Sequence, residues 1–370
     1  MNAETRSSRR SAAVALCATL VGVVLASAPA AAHVRYVAED DGPATDPVEF
    51  AMQVLADPVN AALFGGTALL GTAGLLAYLW VRPTVPDLAV LRETLSGYED
   101  LVPWMLRLSM GLPLVGAGFA GYYFSPAVET EPRLLLLGLG FLLLFGLATR
   151  AVAAVALLAY LVGLARSPDL LLAIEYVPGL LAIVLLGGGR PSADHLLEAM
   201  ASAPGTYYGR IDPVNRIAGR FRDLLDPWTR YAPTVIRVGL GVAFVYLGLV
   251  EKLLQPGRTL GVVAKYDLTA VVPVDPGAWV LGAGLAEIVL GVLLIVGLLT
   301  RGVAAAAFVV FTLTLFGIPD DPILAHITMF GLASAVFTLG SGPLALDRLL
   351  ADGDSPADRS TPDARGVAED

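Results

Sequence analysis

Nine apolar stretches of sixteen to twenty-one residues follow one another between Ala61 and Gly340, at 61–81, 104–124, 133–149, 151–166, 170–188, 235–254, 279–299, 302–317 and 323–340. A helix rises about 1.5 Å per residue, so about twenty apolar residues cross the roughly 30 Å hydrocarbon core of a bilayer. Inside lipid every backbone N–H and C=O must be paired within the segment, which leaves helices as the way to span. The expectation is an all-α, polytopic membrane protein with about nine transmembrane helices. Composition agrees: 56% of residues are hydrophobic and 15% charged, against about 25% charged in soluble domains.

The amino terminus has the order of an export signal. Arg6, Arg9 and Arg10 precede an apolar run that ends at Ala30-Ala31-Ala32, which predicts a signal peptide over 1–32 cut after Ala32. The alternative is an uncleaved anchor helix. An acidic extracellular segment, 33–60, follows, and cleavage would expose His33 as an amine-plus-imidazole copper ligand with no second His nearby. Further along, 61–82 is an extra transmembrane helix, 83–190 a four-helix unit, 191–234 a cytoplasmic linker, 235–350 a second four-helix unit and 351–370 a disordered acidic tail. Arg190, Arg210, Arg216, Arg220, Arg222 and Arg230 gather between spans five and six, whereas "SPAVETEPR" and "IPDDP" are mostly acidic. By the positive-inside rule the mature amino terminus then lies outside a plasma membrane and the carboxyl terminus in the cytoplasm.

The two units read as tandem copies. "PWMLRLSMGLPLVGAGFAGYYFSP" (103–126) parallels "PTVIRVGLGVAFVYLGLVEKLLQP" (233–256), and "LFGLATRAVAAVALLAYLVGL" (144–164) parallels "IVGLLTRGVAAAAFVVFTLTL" (295–315). "DLLLAIEYVPGLL" (169–181) likewise parallels "DPILAHITMFGLA" (321–333). An amphipathic segment precedes each copy, "PDLAVLRETLSGYEDL" and "PVNRIAGRFRDLLDPW", as expected of helices lying on the inner surface. Each copy has an even number of spans, so the repeat is parallel, unlike the inverted repeats of many transporters.

Residues 236–348 resemble the DoxX family of four-helix membrane proteins. The resemblance is carried by "RVGLGVAFVYLGLVEKLL", "GLAEIVLGVLLIVGLLTR" and "AHITMFGLASAVFTLGSGPLALD". It implies a membrane subunit tied to quinone redox chemistry, since a relative belongs to a thiosulfate:quinone oxidoreductase, and a partner subunit that supplies electrons. The first unit is a degenerate copy: Gly121-Tyr122 stand for Glu251-Lys252, Leu136 for Glu287 and Glu175 for His326.

Ionisable residues within spans are costly and face a bundle interior or cavity. Counting from the span ends, Glu251, Glu287, His326 and Glu175 all fall in the outer half, the last three about 8–12 Å below the surface. This predicts an outward-facing polar site, with Glu287 and His326 as catalytic proton carriers and Lys252, Glu251 and Glu175 as substrate-binding groups. The same residues also fit a buried ion pair that sets helix order, with Glu251 alone reaching the headgroups. Trp279 and Tyr266 are expected at the outer interface, and 255–278 is expected as one long outer loop. Quinone is the cofactor implied by the resemblance; no covalent cofactor signature occurs. One Cys, in the leader, and three His leave no basis for a metal centre. No nucleic-acid footprint is present. A small-molecule or ion transporter and a non-catalytic scaffold are the alternative functions. Two Lys against twenty-two Arg with a net charge of −9 fits a halophilic source, and a GC-rich genome would give the same bias.

Overall fold

The computed structural model describes residue 37 and residues 45–81, 85–129, 132–211 and 213–352. The expected signal peptide, His33 and most of the acidic tail lie outside the described residues.

Among the described residues two full helices precede the first unit, α1 (Pro47–Ala56) and α2 (Pro58–Val81). The first is a departure from the expected acidic segment up to residue 60. Asp46 caps it, its carboxylate accepting from the Val48 and Glu49 amides at 2.9 Å each, and Phe50 and Val54, one turn apart, are buried. Ten residues are too few to register as a span, yet enough to bury one apolar edge. By contrast α2 is apolar all round, with only Asn60 and Gly74 buried.

The first unit comprises α3 (Pro86–Ser96), α4 (Val102–Ala120), α5 (Arg133–Phe145), α6 (Thr149–Arg166) and α7 (Tyr176–Leu186). Here the chain departs twice from the expected spans. Instead of running to 124, α4 stops at Gly121 (φ 89) and turns into a hairpin of β1 (Tyr122–Tyr123) and β2 (Ser125–Glu129). The stretch expected at 170–188 begins as a 3₁₀ turn, Pro168–Ala173, before α7.

The linker folds as α8 (Ala193–Ser202), α9 (Tyr207–Ile211) and α10 (Pro213–Thr229). The second unit comprises α11 (Ala232–Tyr246), which continues as a π-helix over Leu247–Leu253, then α12 (Pro256–Lys265), α13 (Leu268–Val271), α14 (Pro276–Val296), α15 (Thr300–Gly317), α16 (Ile323–Leu339) and α17 (Leu346–Asp352). Thus 255–278 is two short helices, not an open loop. Among the described residues six helices are long and apolar enough to cross a membrane, and α5, α7 and α16 are shorter apolar ones. The chain is an all-α polytopic membrane protein, with one small hairpin.

The units are interleaved. Within each, the first helix packs on the second and the third on the fourth (α4 on α5, α6 on α7; α11 on α14, α15 on α16). Across them the pairing is reciprocal: α4 packs on α16, and α11 packs on α7. Lipid offers no apolar driving force between helices, so close backbone approach supplies the contact. A Cβ on Gly291 would lie 2.5 Å from the Gly241 carbonyl, and one on Gly140 would lie 2.8 Å from the Gly111 carbonyl. Gly291→Ala is therefore expected to lower the thermal midpoint of the detergent-solubilised protein. Gly302→Ala, where a Cβ meets nothing within 4 Å, should leave it unchanged or raise it through helix propensity, worth up to about 1 kcal/mol. Equal effects at the two sites would contradict the crossing.

The end of the bundle that carries α8–α10, hereafter the linker end, is built alike in both units. Gly297 (φ 73) closes α14, Leu299 takes φ 54, and the Asp347 carboxylate accepts from the Leu299 and Thr300 amides at 2.8 and 2.9 Å. In the first unit Gly146 (φ 67) and Ala148 (φ 50) precede α6, and Asp194 accepts from the Ala148 and Thr149 amides at 2.6 and 2.8 Å. These carboxylates cap helices that begin inside a turn, where first-turn amides have no intrahelical acceptor. Arg301 donates to the Phe337 and Thr338 carbonyls at 2.9 and 3.0 Å, as Arg150 does to Leu185 at 3.1 Å. The "TR" of each copy is thus a capped helix start followed by a guanidinium on another helix's last carbonyls.

Candidate functional site

Opposite the linker end, α1, α12 and α13 form a cap over the second unit. Phe50 and Val54 of α1 join Val262, Val263, Leu268 and Trp279 in one apolar cluster. Trp279 is only 1% exposed, so it is a core residue of the cap and not the interfacial aromatic its position suggested.

Beneath the cap the π-helix changes which residues face inward. The Leu254 amide bonds the Leu249 carbonyl at 2.8 Å, five residues back, and the widened turn directs both Glu251 and Lys252 into the protein. Glu251 and Lys252 are 1% and 0% exposed. The Glu251 side chain is therefore not reaching the headgroups. Its carboxylate lies 3.9 Å from the Arg258 guanidinium of α12, and its carbonyl accepts from the Thr259 hydroxyl at 3.2 Å. π-Turns of this kind recur at functional sites because they re-aim one or two side chains without ending the helix.

Lys252 turns the other way, to α14, and its Nζ donates to Glu287 Oε2 at 2.6 Å. Two glycines bring the helices close enough for this. A Cβ on Gly248 would lie 2.6 Å from the Gly284 carbonyl, and one on Gly284 would lie 3.0 Å from the Gly248 carbonyl. They stand one turn from Lys252 and Glu287 respectively. In the first unit Tyr122 and the buried Leu136 stand in sequence for Lys252 and Glu287, and Phe124 packs edge-on to Tyr160 and Tyr176 at 5.3 and 5.0 Å.

His326, on the first turn of α16, is 0% exposed. Its Nδ1 lies 3.3 Å from the Pro322 carbonyl and its Nε2 3.4 Å from Asp321 Oδ2. Asp321, missed by sequence reasoning because "IPDDP" reads as a solvated loop, is itself 3% exposed and sits in the field of the Lys252 ammonium. Its neighbour Asp320 is the exposed one, accepting from the Tyr266 hydroxyl at 2.7 Å with Lys265 Nζ at 3.4 Å. The signal that distinguishes them is position: Asp321 immediately precedes Pro322, the cap residue of α16.

Glu175 does not join this group. With Asp169 set against Asp321 and Gly179 against Gly331, the residue opposite His326 is Ile174, so Glu175 is one position off. One residue is about 100° around a helix. Glu175 Oε1 instead lies 2.9 Å from the Thr328 hydroxyl of α16. Thr328 is two residues, or about 200°, from His326, so Glu175 marks the seam between the units on the other side of α16. Beneath the cap, Asp321 and His326 make one pair and lie in the field of Lys252, whose own partner is Glu287. Among the described residues no group of three or more His, Cys, Asp or Glu is placed to hold a metal.

Comparison with curated proteins and comparison with solved structures each returned no match. A family model does match: DoxX, over residues 232–320. The matched segment runs from the start of α11 through α15, so it holds the π-turn, the Lys252–Glu287 pair and the cap helices α12 and α13. It stops one residue before Asp321. Over residues 232–320, which make up most of its second unit, the chain is similar to the DoxX family.

Proposed function

We propose that this chain is the membrane subunit of a quinone-linked redox system, with the Lys252–Glu287 pair at the polar end of the quinone site. The observation that carries the reading is an apolar groove along the π-helix that carries Lys252. It runs between α1 and the π-helix, lined by Phe50, Met52, Leu55, Leu253, Leu254 and Leu281 among others, and Leu253 and Leu254 directly follow Lys252. Such a groove suits a quinone ring and its apolar tail, while the Lys252 ammonium, one residue from the lining Leu253, and the Glu287 carboxylate paired with it would supply a donor to a quinone oxygen and a proton acceptor. Reduction to the quinol takes two electrons and two protons. The electrons come from a partner subunit; the protons are the business of this chain.

The same reading puts the cap end outside and the linker end in the cytoplasm, because Arg150, Arg190, Arg222, Arg230, Arg301 and Arg348 belong to the linker end. The matched glycine crossings and capped corners support a tandem repeat whose first copy has lost the charged site. Titrating the protein in nanodiscs with decylubiquinone is expected to quench tryptophan emission saturably, and Leu281→Phe, which fills the groove, should raise the apparent Kd at least tenfold. Non-saturable quenching, or quenching indifferent to Leu281→Phe, would overturn the quinone assignment. A second reading, a membrane scaffold without chemistry, is favoured by one observation: the pair closes on itself at 2.6 Å, which is also how an ion pair fixing helix order would look.

A further inference from the structure

The loop between α15 and α16 holds a carboxyl that the Lys252–Glu287 pair does not explain. Asp321 is 3% exposed, and neither of its side-chain oxygens has a hydrogen-bond partner among the described residues. His326 Nε2 lies 3.4 Å from its Oδ2. The imidazole has its Nδ1 at the Pro322 carbonyl, and a carbonyl can only accept, so Nδ1 carries hydrogen there. In a neutral imidazole Nε2 then presents a lone pair to a carboxylate oxygen. Two acceptors facing each other in a buried site repel, unless one proton lies on either the carboxyl or Nε2.

Charge counting gives the same result. Lys252 and Glu287 neutralise each other at 2.6 Å, and on the α12 side Arg258 faces Glu251 at 3.9 Å. Lys265, Tyr266 and Asp320 interact with one another at the exposed rim, and Glu175 lies across α16 against Thr328. No cation is left over among these to balance a bare Asp321. A buried group of this kind is stable when its net charge is zero, and Asp321 with His326 is neutral when the two together hold one proton.

We propose that Asp321 and His326 form a one-proton site under the cap, and that this proton is exchanged with Glu287 through competition for the charge of Lys252. The ammonium can be the counter-ion of one carboxylate at a time. When Glu287 is ionised, Asp321 and His326 keep the proton. When Glu287 takes up a proton, Lys252 loses its partner, and its field favours release of the proton held by Asp321 and His326. One proton enters as one leaves, so the buried charge is conserved. Outside the helices, burial pushes the Asp321 carboxyl up to about 8, with the Lys252 field opposing, in keeping with a proton held at neutral pH. Because an unfolded Asp releases its proton in the ordinary carboxylate range, near 3.8, and the folded one near 8, this group's contribution to stability falls as pH rises between those values.

The inference uses the Lys252–Glu287 site proposed above but does not depend on quinone, and its test is spectroscopic. Infrared spectra of the full chain in nanodiscs should show a protonated-carboxyl band at pH 7 that shifts in D2O, is absent in Asp321→Asn and bleaches as pH rises past about 8. In Glu287→Gln, where Lys252 is unopposed, the midpoint of that band should fall by at least one pH unit. If Asp321→Asn does not fold, ¹⁵N-histidine spectra of the intact protein serve instead, with His326→Gln to assign the signal. They should show His326 with hydrogen at Nδ1 and its Nε2 shift moving with the same midpoint as the band. A band unaffected by Asp321→Asn, a neutral His326 beside an ionised carboxylate at pH 7, or a midpoint indifferent to Glu287→Gln would each overturn the proposal. A failed decylubiquinone titration would leave it standing.

Discussion

Lys252→Met is expected to lower the stability of the solubilised protein by about 3–5 kcal/mol, the usual cost of removing one partner of a buried ion pair. The pair is 0% and 5% exposed at its side chains and closed at 2.6 Å, so Glu287 would remain as a carboxylate with neither water nor its cation. Glu287→Gln should cost less, because an amide oxygen can still accept from Nζ at the same place. The double replacement Lys252→Met with Glu287→Leu removes both charges and is expected to recover most of the loss, since apolar substitution of whole buried pairs is often neutral or better. Thermal midpoints of the wild type, Lys252→Met, Glu287→Leu and the double variant make a double-mutant cycle, and strict additivity would show that the two residues do not depend on each other. The same four proteins separate the two functional readings. A scaffold predicts that the stable double variant is fully competent, whereas a redox subunit predicts that it folds but loses decylubiquinone binding.

The second large effect is expected at Arg237. This guanidinium is completely buried at the linker end, where it donates to the carbonyls of Ser341 at 3.0 Å and Ile295 at 2.7 Å, and also to those of Leu294 and Leu344. Two of those carbonyls close α14 and two lie in the turn that leads to α17, so one side chain ties both. Hydrogen bonds to charged groups contribute about 1.5–3 kcal/mol each, and unsatisfied buried carbonyls cost further. Arg237→Met should therefore abolish accumulation of folded protein, and Arg237→Lys should rescue it poorly because a single ammonium cannot reach all four acceptors. Arg107, its counterpart in the first unit, donates to the Pro191 carbonyl, and Arg107→Met should be the milder change. Membrane-fraction abundance and thermal midpoints rank the variants; equal tolerance at both arginines would refute the clamp.

Much of this architecture is legible in the linear sequence, and the corners show why. Gly297, Arg301, Gly342 and Asp347 recur as Gly146, Arg150, Gly189 and Asp194 because a left-handed turn, a capped helix start and an orphaned helix end each restrict residue type strongly. Direction around the helix was not legible. The sequence leaves Glu251 either beside Lys252 in the site or, near the helix end, reaching the headgroups; the π-turn over 247–253 buries both. A one-residue offset was enough to carry Glu175 away from His326 and onto Thr328.

The cap was illegible for a related reason. Phe50 and Val54 form only a two-residue apolar edge, and Asp321 carries the chemistry of a surface loop, so nothing local marks any of them as interior. By itself the sequence determined a polytopic, all-helical membrane protein. Local geometry and the demand that backbone be satisfied in lipid act on each segment separately. Tertiary structure alone decided which charges meet, that α4 pairs with α16 and α11 with α7, and that a short amphipathic helix closes over Trp279. Those outcomes depend on the azimuth and close approach of distant segments, which no single stretch of chain encodes.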